Sequence, residues 1–171
     1  MGLIASFALS LEALWTAGHK NATYVCDVNT RVSCSTVARS WQSTLIHLGK
    51  YPVPNAFIGL AAFSVLLTIG VILMICSTPE WFDACLSMGC LLAFAAARWL
   101  FLQSATVIRA FCPWCILMWT GVTIAASAEV NSFLYHRTNG LIHKYAGSLF
   151  SLIPVLTMLF SALAIVLIEA L

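Results

Sequence analysis

A chain of 171 residues that is 61% hydrophobic and only 8% charged is no ordinary soluble domain, since about a quarter of the residues in such a domain are charged. Its formal net charge of +2 is too small to argue for nucleic acid, and a mean hydropathy of +0.97 places it among integral membrane proteins. Seven cysteines are many for this length, and an odd count leaves at least one outside intramolecular pairing.

A membrane-spanning helix needs about 20 mostly apolar residues. Five stretches fit: Gly2 to Ala17, Val53 to Cys76, Trp81 to Thr106, Cys112 to Val130 and Tyr145 to Ala170. They predict an all-α integral membrane protein, a single helical bundle with no soluble domain and no internal repeat. The first stretch is short and carries Glu12, and the third carries Arg98; the sequence offers neither a partner. The apolar run follows Met1 at once, with no basic n-region and no A-x-A site, so no cleavable signal peptide is expected. So abrupt a start suits a chain trimmed at its N-terminus.

The long connection from Gly18 to Pro52 holds Cys26 and Cys34. Beyond them, Val37, Trp41, Leu45 and Leu48 recur at helical spacing, with Arg39, Gln42 and His47 off that stripe. This predicts a short amphipathic helix, capped by Ser35, lying flat over the bundle and carrying Cys34 across the helix mouths. Asn21-Ala22-Thr23 reads as a glycosylation sequon, a triplet common by chance. Cys76, Cys85 and Cys90, in or beside apolar runs, read as small buried hydrophobes.

Cys112-Pro113-Trp114-Cys115 opens the fourth span. Pro113 suits the first helical position, where its missing N–H would have had no partner. Cys112 then lies at the positive end of the helix dipole, which favours a thiolate. Counting spans puts Cys26, Cys34, Cys112 and Cys115 on one membrane face. That face also carries Lys20, Arg31, Arg39, Lys50 and Arg109, against Arg137 and Lys144 opposite. The charge rule would put it in the cytoplasm; disulfide chemistry puts it on the extracytoplasmic side, and the reading follows the chemistry.

Two dithiol pairs within reach can exchange disulfides through mixed disulfides. Two fixed disulfides clamping a loop is the alternative, although a CxxC ring is small and stabilises little. A zinc site is less attractive, since a membrane span intervenes and no His is near. A c-type haem would need His where Ile116 stands. A dithiol relay in a bilayer needs a lipid-soluble electron acceptor, and a quinone is the natural one. Asn55, Phe57, Phe111, Trp114 and Trp119, near the CPWC end, suit it. Asn55 can also be read as a helix N-cap, and Trp119 as packing or an interfacial anchor.

The pattern C-D-V-x-x-x-V-S-C-S around Cys26 and Cys34, then P-N-x-x-x-G with Asn55 and Gly59, then the CxxC, resembles the vitamin K epoxide reductase family over Gly2 to Asn131. The segments Trp99 to Ser104 and Arg109 to Cys115 are most similar to stand-alone bacterial members, which add a fifth span. The resemblance implies a four-helix transmembrane bundle around a quinone over residues 1–131, with loop 18–52 and its short helix capping the extracytoplasmic face. Residues 132–171 would supply a connection and the fifth helix, and no fused thioredoxin-like domain is expected after Leu171. By the same resemblance, Cys115 is the active-site thiolate beside the quinone, and Cys112 its disulfide partner and the target of Cys34. Cys26 and Cys34 are the shuttle pair, with Cys26 exchanging with a thioredoxin-like, DsbA-type protein, and Asn55 hydrogen-bonds the quinone. Ser35 matches a family position without a specified role. Trp119 departs from the pattern, standing where vertebrate members have Tyr.

The implied activity is oxidation of the partner and reduction of menaquinone, ubiquinone or vitamin K to the quinol, in a bacterial cytoplasmic membrane, in support of disulfide bond formation. The alternatives are a vitamin K epoxide or quinone reductase driven by partner thiols, and a non-catalytic membrane protein with structural disulfides.

Overall fold

The computed structural model describes residues 1–18, 24–44, 46–49 and 51–137, together with residues 152, 156, 159, 160, 163, 166 and 167, which are helical. Among the described residues four long helices dominate: α1 (Gly2–Gly18), α3 (Asn55–Ile75), α4 (Glu80–Gln103) and α5 (Pro113–Arg137). A five-residue helix, α2 (Cys34–Ala38), lies in the connection between α1 and α3. Helix α1 packs on α3 and α5, and α5 packs on α4.

Among the described residues two helical stretches are long and apolar enough to cross a membrane. These are Asn55–Ile75, with mean hydropathy 2.6, and Glu80–Ile108, with 1.8; Gly2–Ala17 is a shorter apolar helix. Leu14, Val65, Leu67, Met74 and Leu92 all point outward and stay exposed, as lipid-facing side chains do. Ser6 and Ser10, buried inside α1, donate back to the carbonyls of Gly2 and Ser6 at 2.8 and 2.7 Å, so the helix keeps no unpaired hydroxyl in an apolar setting. Gly59 marks where three helices meet: a Cβ there would run into Met118 of α5 and Ser6 of α1.

The connection folds differently from the sequence expectation. Helix α2 stops at Ala38, a short 3-10 turn covers Trp41–Ser43, and Ile46–Leu48 (β1) pairs antiparallel with Tyr51–Val53 (β2). Gly49 takes a positive φ of 63° at the hairpin turn, and Pro52 pairs opposite His47. The stripe from Val37 to Leu48 therefore does not form one amphipathic helix; a short hairpin interrupts a chain that is otherwise mostly helical. A left-handed Gly and a Pro this close together favour a hairpin over a continuing helix. Leu45 lies outside the described residues, as do the sequon and most of the fifth apolar stretch. The α2 cap is Ser33 and not Ser35: its Oγ accepts from Thr36 N at 3.2 Å. Asn55 is the first residue of α3, and the N-cap position belongs to Pro54.

Cys90 is buried as expected, whereas Cys76 and Cys85 are exposed. Arg98 acquires a partner that the sequence did not offer. Its guanidinium lies 5.0 Å from the Phe101 ring and 5.8 Å from that of Phe160, a pair of cation–π contacts that suits a cation within a span.

Candidate redox site

Helix α4 ends in a π-helical turn, Ser104–Ile108, and Arg109 then turns the chain with φ 54°. Ala110, Phe111 and Cys112 follow, each at most 2% exposed. Phe111 N donates to Arg31 O at 2.8 Å, and Ser33 N donates to Phe111 O at 3.1 Å. This short parallel bridge between Val32 and Phe111 ties the loop to the residue before the CPWC. Each member of the strap is followed at once by a cysteine, Cys34 after Ser33 and Cys112 after Phe111.

Side chains hold the loop in shape. Asp27 Oδ1 accepts from Ser33 Oγ at 2.8 Å and from Ser35 N at 3.0 Å, and Oδ2 accepts from Tyr24 N at 3.2 Å. Burial acts to raise the Asp27 pKa, but the bonds from Ser35, Ser33 and Tyr24 together hold it below the usual carboxylate value. Asn29 Oδ1 accepts from the N–H groups of Arg31 and Val32, closing the turn before the strap.

The sulfurs converge as a result. Cys26 and Cys34 form a disulfide with their Cα atoms 5.8 Å apart. Cys34 Sγ lies 2.9 Å from Cys112 Sγ, and both residues are 1% exposed. Cys112 stands just before α5, as its position before Pro113 predicts, and Cys115 N donates to Cys112 Sγ at 3.4 Å. Cys112 and Cys115 are free thiols.

Against these sulfurs lies a cavity of about 130 Å³, with Cys34, Cys112, Cys115, Asn55, Trp119 and Gln42 among its walls. Asn55 Nδ2 donates to the Gln42 carbonyl at 2.7 Å, and Gln42 Nε2 donates to Gln103 Oε1 at 3.3 Å. Trp119 meets Phe101 edge-to-face at 5.2 Å, and Phe101 packs on Phe111 at 5.7 Å. Of the five residues expected around a quinone, Asn55 and Trp119 line the cavity. Phe111 stands behind the wall, Trp114 packs on the cluster of Leu9, Cys34 and Cys112, and Phe57 is not among the cavity walls.

Sequence reasoning missed Asp27, Gln42 and the partner of Glu12. Asp27 lay inside the quoted C-D-V motif, and Gln42 was noted only as off an apolar stripe. Glu12 Oε1 accepts from Val25 N at 3.3 Å, and Oε2 lies 3.7 Å from Cys26 Sγ.

Two cysteine pairs brought sulfur to sulfur at the mouth of an apolar helical assembly define a membrane thiol–disulfide redox protein. The sequence signature of the Vitamin K epoxide reductase family matches residues 1–129, and the chain belongs to that family. No curated protein matches it. Family membership makes it a membrane-embedded oxidoreductase of thiols and disulfides, of a kind that works with quinones and thiol-redox partner proteins.

Proposed function

We propose that the protein oxidises a thioredoxin-like, DsbA-type partner on the extracytoplasmic side of a bacterial cytoplasmic membrane and passes the electrons to a membrane quinone such as menaquinone or ubiquinone. The observation that carries this reading is the 2.9 Å approach of Cys34 Sγ to Cys112 Sγ, beside a cavity that also touches Cys115.

The outer pair meets the partner. Cys26 sits between exposed Val25 and Val28, whereas Cys34 is sealed, so an incoming thiolate attacks Cys26 and Cys34 leaves as thiolate. Cys34 then attacks Cys112 of a Cys112–Cys115 disulfide, forming Cys34–Cys112 and releasing Cys115 as thiolate. When the partner leaves as a disulfide, Cys26 attacks Cys34, restoring Cys26–Cys34 and freeing Cys112. The state with Cys26–Cys34 closed and both inner thiols free is the one that follows this sequence.

The cavity has room for one six-membered ring of a quinone. Its volume is comparable to the ~150 Å³ apolar cavity that takes one benzene, and it combines apolar walls with the Asn55 and Gln42 amides. A quinone held there supplies the two-electron acceptor and leaves as quinol. Asn55 and Trp119 orient the ring, and Cys115 is the thiol presented to it. Residues 1–131 form the catalytic core, a four-helix bundle, and the segment after 132 adds a fifth span.

The test uses the purified protein in detergent with a reduced DsbA-type partner and a menaquinone analogue, followed by quinone absorbance. Wild type reduces the quinone, and Cys115→Ala abolishes the reaction. Full activity in the variant would overturn the mechanism.

A further inference from the structure

Glu12 is an acidic residue in an apolar helix, and the relay described so far does not use it. Its carboxylate reaches the outer cysteine pair at Cys26. Oε1 is fixed by Val25 N at 3.3 Å, and Oε2 stands 3.7 Å from Cys26 Sγ. In the disulfide that sulfur carries no proton, so the approach is a bare contact. Once the disulfide is reduced, the Cys26 thiol can donate to Oε2 without rearrangement. The order in space is then carboxylate, Cys26, Cys34, Cys112, with the three sulfurs within 4.8 Å of one another.

We propose that Glu12 is the proton acceptor and donor of Cys26. This rests on the thiol relay set out above and adds the proton path of its outer half. As Cys26 attacks Cys34 in the Cys34–Cys112 disulfide, the Cys26–Cys34 bond forms and the Cys34–Cys112 bond breaks. The electron pair of the broken bond leaves on Cys112, and the Cys26 proton passes to Glu12 Oε2. When the partner later opens the outer disulfide and departs, Cys26 is released as thiolate and takes that proton back. Glu12 ends each cycle as it began. The step needs a local base because the attacking sulfur is half-buried and its target is sealed from water. Among the described residues Asp27 is the charged group that acts on Glu12, and its oxygens are committed to the loop.

The test reads Cys26 directly. In a Cys34→Ala variant Cys26 is a free thiol, and its alkylation rate is followed against pH with Glu12 intact or replaced by Gln. Gln keeps an oxygen for Val25 N, so the loop contact survives. The carboxylate opposes formation of the adjacent thiolate. Glu12→Gln is therefore expected to move the alkylation profile to lower pH and to quicken alkylation at neutral pH by about tenfold. In an otherwise wild-type chain, Glu12→Gln slows partner oxidation by about 10²-fold, the lower end of what a positioned base contributes, and Glu12→Asp recovers part of it. Superimposable alkylation profiles, or full partner oxidation with an unaltered pH profile in Glu12→Gln, would overturn the proposal. Loss of quinone reduction in wild type would sink the quinone reading instead, and the alkylation comparison would still decide Glu12.

Discussion

Asp27 does the most for the loop of any single side chain. With Ser33 it satisfies the first N–H groups of α2, Asp27 taking Ser35 N and Ser33 taking Thr36 N. Asp27→Ala should therefore cost about 1–2 kcal/mol, the usual range for a lost cap, read as a lower thermal midpoint. Its titration has a definite sign. The folded carboxyl is held below its unfolded value, so its stabilisation is present above that value, near pH 4, and is lost as pH falls through the folded one. Wild type should lose thermal stability in that acid window more steeply than Asp27→Asn, and equal slopes would remove the carboxylate from the account. None of this was legible beforehand, because the cap rests on the backbone N–H groups of Tyr24, Ser35 and Thr36, which a sequence does not display.

At the level of elements, the long apolar runs and the start of α5 were readable, since length, hydropathy and a Pro at the first helical position are local signals. The hairpin was not, because the spacing of Val37, Trp41 and Leu48 imitates a helix until Gly49 and Pro52 are given weight. Gly59 was quoted only as part of a motif; the packing explains it. A methyl at Gly59 meets the flexible end of Met118, which can give way, and Ser6 Oγ at 3.0 Å, so Gly59→Ala should destabilise by at most about 1 kcal/mol, the crowding being partly offset by the helix propensity of alanine. The thermal midpoint of the variant in detergent checks this. Pairing Gly59→Ala with Met118→Ala, which clears the nearest obstruction, should cost less than the sum of the two changes.

For the whole molecule, counting spans was enough to place four cysteines on one face, and the fold brings them together. Which sulfur faces which could not be counted, because that depends on the bridge between Val32 and Phe111, two irregular segments far apart in the chain. The arrangement makes a direct prediction. In a Cys26→Ala/Cys115→Ala double variant, Cys34 and Cys112 have no partner but each other, and mild oxidation should link them. Peptide mapping without reductant should recover that bond. Failure to form it under conditions that leave the fold intact would place the two pairs out of contact.

The strap between Phe111 and residues 31–33 is made only of main-chain bonds, so it acts as a ruler whose divisions no side-chain replacement erases. One division along an extended strand is about 3.3 Å, larger than the 2.9 Å gap between Cys34 and Cys112. A single alanine inserted between Ser33 and Cys34 should therefore leave Cys26, Cys112, Cys115 and the long helices in place but carry Cys34 away from Cys112, breaking the circuit between the outer and inner pairs. The partner would still be met at Cys26 and the inner thiols would still face their cavity, with no current between them.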